Sequence, residues 1–562
     1  MDPSIGGTSP PISKLTDDIL LFIFSINADM TDESLSCGDD EKISYRALHI
    51  TRHTSQVSRY WRTLILESPT ILAGVIDLEL FRPSLKSWRE EVFQRCGKCL
   101  LSVKGLCSFE KSGFPPAFTD TDAVIKFFNT YWDQIKNLHV EVTYADEVDG
   151  ETWFRTLCRP ARSLCSCNLQ FRHCYPSFRN PDATLSWDVA PASLGFYHDP
   201  TTSISALRTP WLSQLRVLEL KFPSTQRPHA TTIRVLDLLK NLHILEVLKI
   251  SIGNSSLESR PNKRPHPIEL PRLHRLGLDC AELDDCIYFL KHIIPQQKCT
   301  LSLYSKKSSM SPRDESYLGK LALLAEHFSV YAQALSCHDA QVLSLRLSSH
   351  SFGLAIYGKS WKDNSDFLHS SDNVHLKLDI TPTYHVSGPG NIVDFFPFLR
   401  SVPSSVLGVL KVFDLDIRHN NCFTPALRPE FHDFLTSLLS VESLIAANNY
   451  TIVSLLESTS NSSAFFPSLH TLKMRQLKIF RVPAIHTIMG FLQWRIKAGH
   501  AIEVLDLTLA QDAHEHQFVP LEEMTGLKVR WESQDEPVHE YICGTGSPEK
   551  LDLQDKSDEG RP

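Results

Sequence analysis

The feature that most constrains the fold of this chain is a short apolar phrase, apolar–x–x–apolar–x–apolar, which recurs from about residue 130 onward. Clear copies are Ile135/Leu138/Val140, Leu164/Cys167/Leu169, Leu215/Leu218/Leu220, Leu245/Leu248/Ile250, Leu273/Leu276/Leu278, Val342/Leu345/Leu347, Leu410/Phe413/Leu415, Val441/Leu444/Ala446, Leu469/Leu472/Met474 and Ile502/Leu505/Leu507. Weaker copies are Leu301/Leu303 and Leu376/Leu378. Alternate apolar residues turn one side of a short strand toward a core, and the leading apolar residue lies on the turn before the strand.

A single strand of this kind cannot bury its apolar side alone, so the copies must stack in one continuous core. Helix-compatible stretches, such as residues 231–243 and 428–439, lie between copies. Strand, helix and strand in succession predict parallel strands with helices on the outer side. Adjacent copies are roughly 25 to 35 residues apart, which is close to the period of leucine-rich repeats. We therefore predict an α/β fold in which residues 131–531 form an irregular leucine-rich-repeat-like solenoid.

The repeat pattern is interrupted in two places. The gaps from Leu169 to Leu215 and from Leu303 to Val342 are too long for one period. Only the copy that runs from residue 441 to residue 449 has asparagine at the position where leucine-rich repeats usually carry it. A generic α/β domain, in which leucines alternate by chance, is the alternative interpretation.

The first 75 residues have a helical pattern instead. Thr16 is placed to cap a first turn that carries Asp17 and Asp18, and acidic residues suit the positive end of a helix. The predicted apolar face of this helix comprises Ile19, Leu20, Ile23 and Phe24. After a polar acidic loop, helical periodicity returns and is expected to end at Pro69; the apolar face there comprises Val57, Trp61, Leu64 and Ile65.

Residues 10–72 resemble an F-box, in the divergent F-box-like form common in fungal families. The stretch PPISKLTDDILLFIF at residues 10–24 matches a pattern of proline, an apolar residue, leucine-proline, an acidic pair and further apolar pairs. The stretch SQVSRYWRTLILESPTIL at residues 55–72 matches the second half of the pattern, with Val57, Ser58, Arg59, Trp61, Arg62, Ser68 and Pro69 in register. Thr16 replaces the second proline, and the loop over residues 27–44 lengthens the box.

The resemblance implies an adaptor that is not an enzyme. An F-box binds the Skp linker subunit of a Skp–cullin–F-box ubiquitin ligase, and the array that follows binds a protein target for ubiquitin-dependent degradation. The residues implied in linker binding are Pro11, Ile12, Leu15, Ile19, Leu20, Ile23, Phe24, Val57, Trp61 and Leu64. Three short helices cannot hide this much apolar surface, which indicates a partner.

Two alternatives to the adaptor hypothesis stay open. The apolar face of the first helices is also compatible with packing against the repeat array of the same chain. The protein would then be a non-catalytic repeat scaffold whose degenerate F-box is only a structural cap. The substitution at Thr16 and the lengthened loop favour this second interpretation.

On the adaptor hypothesis, the protein target binds the exposed side of the strands, where charged residues alternate with the inward apolar positions. The candidate residues are Glu219, Lys221, Lys249, Asp279, Arg346, Lys377, Asp379, Asp414, Asp416, Lys473, Arg475 and Asp506. Their mixed signs favour a protein or peptide over a nucleic acid. Each is equally compatible with an ordinary solvated surface charge.

Composition gives the remaining domain boundaries. Residues 1–9 are rich in Gly, Ser and Pro, and residues 532–562 are polar and acidic, so both segments are predicted to be disordered tails. Residues 10–75 form the F-box-like domain. Residues 76–130 are predicted to form a helical linker or cap before the array.

Charge and hydropathy limit the partners. The formal net charge of −8 gives no basic footprint for nucleic acid. The apolar run from Ile19 to Ile26 is too short to cross a bilayer, and the N-terminus lacks the features of a signal peptide. We therefore predict no nucleic acid and no membrane among the partners, and a cytoplasmic or nuclear location. The 14 cysteines are scattered, which is typical of reduced and mostly buried thiols.

Three motifs suggest chemistry, and none is convincing. Residues 353–360 match the phosphate-loop pattern, but the loop interior LAIY is typical of a strand and the stretch after it has poor helical character. Cys96 and Cys99 have the spacing of half a zinc site without a second pair. A cluster of Cys and His residues could also supply metal ligands, namely Cys158, Cys165, Cys167, His173 and Cys174. Because Cys167 is already an inward position of the apolar phrase, buried structural thiols are the better interpretation. We predict no catalytic residue, no cofactor and no metal.

Overall fold

The structure is a computed structural model. The chain divides into two compact units, unit 1 at residues 1–265 and unit 2 at residues 266–562. The predicted tail at residues 1–9 and most of the predicted loop at residues 27–44 lie outside the described residues. The residues that the structure describes are 11–29, 47–81, 85–108, 121–143, 156, 159–172, 193–197, 213–222, 228–253, 266–295, 298–305, 315–335, 340–348, 351–358, 374–381, 395–418, 428–458, 465–477, 484–510, 512–513, 516–532 and 538–553.

The described residues form a mixed α/β structure, as predicted. The α-helices are α1 (Asp17–Asn27), α2 (Ala47–Thr54), α3 (Arg59–Leu66), α4 (Pro69–Gly74), α5 (Lys86–Cys96), α6 (Thr121–Tyr131), α7 (Pro228–Leu239), α8 (Leu283–His292), α9 (Glu315–Gln333), α10 (Phe396–Ser401), α11 (Ser404–Leu407), α12 (Arg428–Thr436), α13 (Asn449–Glu457) and α14 (Ala484–Lys497).

The strands are short, and most neighbours pair in parallel. Those of unit 1 are β1 (Ile76–Asp77), β2 (Leu101–Ser108), β3 (Ile135–Thr143), β4 (Ser166–Arg172), β5 (Ser193–Tyr197), β6 (Val217–Phe222) and β7 (Val247–Ile252). Those of unit 2 are β8 (Ile268–Leu270), β9 (Arg275–Cys280), β10 (Ile293–Pro295), β11 (Thr300–Ser305), β12 (Val342–Ser348), β13 (Ser351–Tyr357), β14 (Val374–Ile380), β15 (Val412–Ile417), β16 (Ser443–Ala446), β17 (Thr471–Met474), β18 (Val504–Asp506), β19 (Lys528–Trp531) and β20 (His539–Ile542).

The N-terminal helical segment, which we define as residues 11–74, has a small core of its own. Leu20 and Phe24 on α1 are buried. The Phe24 ring meets the ring of Trp61 on α3 edge to face, with centroids 5.1 Å apart. Ser58 caps α3, since its hydroxyl oxygen accepts a hydrogen bond from the Trp61 N–H at 3.1 Å. These contacts fix α3 against the inner side of α1.

Two helix ends in this segment differ from the sequence prediction. Thr16 lies at the N-cap of α1, but its side chain makes no capping hydrogen bond. Pro69, predicted to end a helix, instead begins α4, because proline has no N–H to satisfy and suits the first turn of a helix. The preceding helix already ends at Leu66.

Residues 76–130 are not the purely helical linker that the sequence predicted, because they contribute two strands to a sheet in unit 1. That sheet has the order β1-β2-β3-β4 with all neighbours parallel. Leu101 and Val103 on β2 alternate as the apolar phrase requires, but Lys98 occupies the leading apolar position. The phrase therefore does not predict this strand. Gly105 on β2 has a φ of 137°, and a Cβ there would lie 2.9 Å from the Asp77 Oδ1 atom. Glycine is therefore required where β2 passes β1.

The copies of the apolar phrase coincide with strands in both units. In unit 1, β5, β6 and β7 pair in parallel, and α7 joins β6 to β7. In unit 2, a sheet with the order β20-β19-β18-β17-β16-β15-β12-β13-β14-β11-β9 contains the remaining copies. Inward positions such as Leu276, Leu415 and Leu472 are fully buried. The prediction of short, mostly parallel strands with intervening helices is confirmed, and the finer assignment to a solenoid stays a prediction.

A β-hairpin interrupts the parallel order of unit 2. β12 and β13 are antiparallel and closed by the pair Ser348 and Ser351, and β13 is antiparallel to β14 as well. The long sequence gap between Leu303 and Val342 contains α9, and the extra strand β13 follows β12. Residues 353–357 of the phosphate-loop lookalike lie in β13, as their strand-like composition predicted, while positions 359 and 360 lie outside the described residues.

The C-terminal residues 538–553 are folded, whereas the sequence predicted a disordered tail from residue 532. β20 pairs antiparallel with β19, and Tyr541, Cys543 and Leu551 are buried. The Tyr541 hydroxyl donates to the Glu522 carboxylate at 2.9 Å, and the Gly546 N–H donates to the same carboxylate at 2.9 Å. A few apolar residues and one carboxylate thus anchor a segment whose average composition is polar.

No helix within the described residues is both long enough and apolar enough to cross a membrane.

Candidate partner-binding surfaces

The first candidate surface is the side of α1 that faces away from the core. With about 3.6 residues per helical turn, positions i, i+3, i+4 and i+7 fall on one side of a helix. We call the residues at these positions, Ile19, Phe22, Ile23 and Ile26, the outer stripe of α1. All four are exposed, with 66% of Phe22 and 59% of Ile26 accessible to solvent. α1 is therefore apolar on two opposite sides, and within the described residues only one of these sides is covered.

Other exposed apolar and aromatic side chains belong to the same helical segment. Ile12 precedes α1, Val57 precedes α3, and Tyr60 is the second residue of α3; all three are exposed. The Tyr60 hydroxyl donates a hydrogen bond to the Asp17 carboxylate, which ties α3 to the N-terminus of α1 and raises the pKa of Tyr60.

The structure separates the residues predicted to bind the Skp linker into three groups. Ile12, Ile19, Ile23 and Val57 are exposed. Leu15, Trp61 and Leu64 are partly buried. Leu20 and Phe24 are core residues, each only 2% exposed, so their assignment to a binding surface is corrected. The side chain of Pro11 lies outside what the structure describes.

Sequence reasoning missed three residues of this surface, namely Phe22, Ile26 and Tyr60. It treated Ile19 with Leu20, and Ile23 with Phe24, as one wide apolar face. The available signal was the strict i, i+3, i+4, i+7 spacing of the outer stripe, which is distinct from the i, i+4 pair of Leu20 and Phe24. Two adjacent apolar residues on one helix can point to different sides: Ile19 and Ile23 are exposed, whereas Leu20 and Phe24 are buried.

The second candidate surface is the outer side of the unit 2 sheet. The predicted target-binding residues Asp279, Arg346, Lys377, Asp379, Asp414, Asp416, Lys473 and Asp506 lie on strands, alternate with buried apolar residues, and share this side of the sheet. Arg475 directly follows β17. Sequence reasoning therefore placed these charges on the correct face, while their role in binding a target stays a prediction.

Many charges on this side of the sheet neutralise one another. Asp416 lies 3.3 Å from the Arg346 Nε atom and 3.0 Å from the Arg418 Nε atom. Lys473 and Asp506 on neighbouring strands form an ion pair at 3.6 Å. In place of separate solvated charges, the sheet carries a cross-strand network.

Asp414 is the buried centre of this network and does not belong to the accessible surface. Its carboxylate accepts a hydrogen bond from the Ser344 hydroxyl at 2.7 Å and lies 3.1 Å from an Arg475 nitrogen. Burial raises the pKa of Asp414, although Arg475 and Ser344 act in the opposite direction. Its predicted contact with a target is corrected to a structural role.

The three predicted target-binding residues of unit 1 also lie on the outer side of their strands. Glu219 and Lys221 alternate with buried residues on β6, and Lys249 does so on β7. The Lys221 Nζ atom lies 3.5 Å from the Glu219 Oε1 atom. This pair is half-exposed and of the kind that contributes little to stability.

Two of the cysteines that suggested a metal site, Cys96 and Cys167, are buried. Burial raises the pKa of Cys96, at the end of α5, to about 12, and burial also raises the pKa of Cys167 on β4. Both are therefore neutral thiols at physiological pH, whereas a metal ligand or redox nucleophile needs the thiolate. Cys158, His173 and Cys174 lie outside the described residues, and within those residues no group of three or more His, Cys, Asp or Glu side chains is placed to hold a metal.

Comparison with known proteins gives no relative. No protein-family model matches the chain, and no curated protein matches it. The resemblance to an F-box therefore rests on the sequence pattern at residues 10–72.

Proposed function

We propose that this protein is a substrate-recognition adaptor of a Skp–cullin–F-box ubiquitin ligase, in which the helical segment binds the Skp linker. The observation that carries the proposal is the outer stripe of α1. Four large apolar side chains at helical spacing are exposed on a helix whose other side already has a core. Such a stripe is typical of a helix that docks into an apolar groove of another protein.

The physical argument is the free energy of burial. Removing one large apolar side chain from water contributes roughly 1.5–3 kcal/mol, so the four residues of the outer stripe together supply a substantial driving force for association. Scattered exposed apolar residues need no explanation, but a contiguous stripe does. The F-box-like pattern in residues 10–72 indicates the partner of this stripe, a Skp linker subunit with a complementary apolar groove.

The target would bind the array, on the outer side of the unit 2 sheet. The accessible charged residues there are Asp279, Arg346, Lys377, Lys473 and Arg475, and neighbours already neutralise part of their charge. A surface with both signs of charge in fixed positions suits a protein with complementary charges, because each mismatch leaves a desolvated charge unpaired.

One observation favours the second candidate function, a repeat scaffold with the helical segment as a cap. α4 leads directly into β1, the two-residue edge strand of the first sheet, so the helical segment adjoins one end of that sheet. End repeats of solenoids need such protection. A cap does not, however, require an apolar stripe on its solvent side, and the outer stripe therefore distinguishes the two functions.

Co-purification of the full chain with the Skp linker protein of the same organism tests the proposal. The variant Phe22→Asp/Ile26→Asp places two charges in the outer stripe and should abolish binding. The matched control Leu323→Asp/Val330→Asp changes two exposed apolar residues of α9 and should bind like the wild type. Circular dichroism and thermal melting check that both variants are folded.

Two results would contradict the adaptor function. If the folded wild-type chain does not bind the linker, the helical segment is a cap and the protein is a scaffold. If the linker binds the wild type and the Phe22→Asp/Ile26→Asp variant equally well, the outer stripe is not the interface.

A further inference from the structure

A cleft of about 440 Å³ lies within unit 1, between the helical segment and the outer side of β2, β3 and β4. Its helical wall includes the C-terminal end of α1 and the whole length of α4. The volume falls inside the range of about 300–1,000 Å³ that small-molecule sites occupy. Neither the linker interface nor the charged side of unit 2 uses this cleft.

The sheet wall of the cleft carries a row of hydrogen-bonding side chains. Ser102, Asn137 and Ser166 are in register on β2, β3 and β4, so neighbouring members are separated by the strand spacing of about 4.8 Å. The Asn137 amide donates a hydrogen bond to the Ser102 hydroxyl at 3.0 Å. Its second N–H and its carbonyl oxygen leave hydrogen-bonding capacity for a ligand. We call these three residues the polar row.

The opposite wall has an aliphatic patch, which lies beside the side chains of Ser25 and Thr70. Ala28, which caps α1, and Ile71 on α4 line the cleft from the helical side, and both are buried. Gly74, the last residue of α4, lines the same wall without a side chain. The cleft thus places an aliphatic patch, formed by Ala28 and Ile71, opposite the hydroxyl and amide groups of the polar row.

The lining residues of the cleft that carry a formal charge are Lys104 and Asp29. Lys104 is 3% exposed and in register with Asp77, which is 2% exposed. Burial, and secondarily the charge of Lys104, lowers the pKa of His139 to about 4, so the imidazole is neutral at physiological pH. Asp29 lines the rim and is exposed to water. An anionic ligand would therefore lose hydration on entry and meet only the buried Lys104 beside Asp77, and a cationic ligand could pair only with Asp29, where solvent screens the interaction.

From this arrangement we infer that the cleft binds a small uncharged ligand with an apolar body and a hydrogen-bonding edge, such as a primary amide on a ring. The amide would exchange hydrogen bonds with the polar row, and the ring would pack against Ala28 and Ile71. Ala28 lies on the core side of α1, opposite the outer stripe. Ligand and linker can therefore bind together, and the inference does not depend on the adaptor function.

Three ligands of nearly equal shape test the inference: benzamide, which is neutral, benzoate, which is anionic, and benzamidine, which is cationic. Each is titrated against the full chain by ligand-observed NMR. Benzamide should bind saturably and at least about tenfold more tightly than either ion, since benzoate loses hydration without an accessible cation and a benzamidine pair with the exposed Asp29 is screened by solvent. Asn137→Ala should weaken benzamide binding about five- to tenfold, the effect of one lost hydrogen bond.

The control variant is Ser302→Ala, which removes an exposed strand hydroxyl from β11 in unit 2 and should leave benzamide binding unchanged. Thermal melting establishes that each variant is folded, and Ser166→Ala replaces Asn137→Ala if the latter does not fold. The inference is overturned if benzamide does not bind saturably, if benzoate or benzamidine binds as tightly, or if the folded polar-row variant binds benzamide like the wild type.

Discussion

The helical segment and the outer side of the unit 2 sheet present opposite kinds of surface. The outer stripe of α1 is apolar, exposed and covered by no described residue. The sheet side of unit 2 is charged, but its charges pair across strands, and its central carboxylate at Asp414 is almost completely buried. The first surface gains free energy only when a partner covers it, whereas the second is already satisfied within the chain. On the proposed adaptor function, the first surface would supply association strength and the second would select the target.

The sharpest test of this comparison uses two phenylalanines of α1. Phe24→Ala should lower the free energy of local opening of α1 by about 3–5 kcal/mol, because it leaves a cavity beside Trp61. Phe22→Ala, on the outer stripe, should change it by no more than about 0.5 kcal/mol. Amide hydrogen exchange of the α1 peptide measures both values. Equal losses would show that the two sides of α1 do not differ as described.

The charged network of unit 2 gives the next largest effect. Asp414→Ala should destabilise the sheet around β15 by about 2–3 kcal/mol, since Arg475 and Ser344 both lose their acceptor. Asp414→Asn should destabilise it less, because burial already disfavours the charged form of this carboxyl group. Hydrogen exchange of the β15 peptide reports both changes.

The exposed ion pair of Lys411 and Glu442 supplies a control for the network. Lys411→Ala should change the stability of the same region by less than about 1 kcal/mol, because solvent screens this pair. If Asp414→Ala destabilises the β15 region no more than Lys411→Ala does, the charges of this network are ordinary solvated charges. The contrast between the outer stripe of α1 and the outer side of the unit 2 sheet then disappears.

The smallest effect concerns His139 in the cleft of unit 1. Its pKa is about 4 in the folded chain and about 6.5 in an unfolded chain, so the unfolded state binds the proton first as pH falls. Stability present above pH 6.5 is therefore lost progressively between pH 6.5 and pH 4. From about pH 7 to about pH 5 the wild type should lose about 1 kcal/mol more than His139→Gln, an amount reduced by the partial exposure of the ring.

Hydrogen exchange of the β3 peptide at the two pH values measures this difference. A wild type that loses no more stability than His139→Gln would mean that the imidazole is solvated. The neutral interior on which the cleft inference depends would then be lost as well.

The sequence predicted the strands of both units well because the apolar phrase is a local pattern. Each copy requires burial of alternate side chains, and a strand is the structure that buries them. It predicted α7 and α12 for a similar reason, since apolar residues at helical spacing lie between the copies. It missed β2, where Lys98 occupies the leading position, and it placed a disordered tail where Tyr541 and Leu551 anchor the chain.

For the candidate surfaces, the sequence by itself determined which residues are apolar or charged and on which side of a strand each charge lies. Only the tertiary structure decided which apolar residues of α1 face the core, because Ile19 and Leu20 are equally apolar and only the packing of α2, α3 and α4 against α1 distinguishes them. It alone decided that Asp414 is buried among residues 60 or more positions away, such as Arg475. Arg495 shows the same limit: it is fully buried and donates hydrogen bonds to the carbonyls of Phe465, Phe466 and Leu469. Local patterns fix local structure, but burial depends on which distant segments pack together, and no short stretch of sequence contains that information.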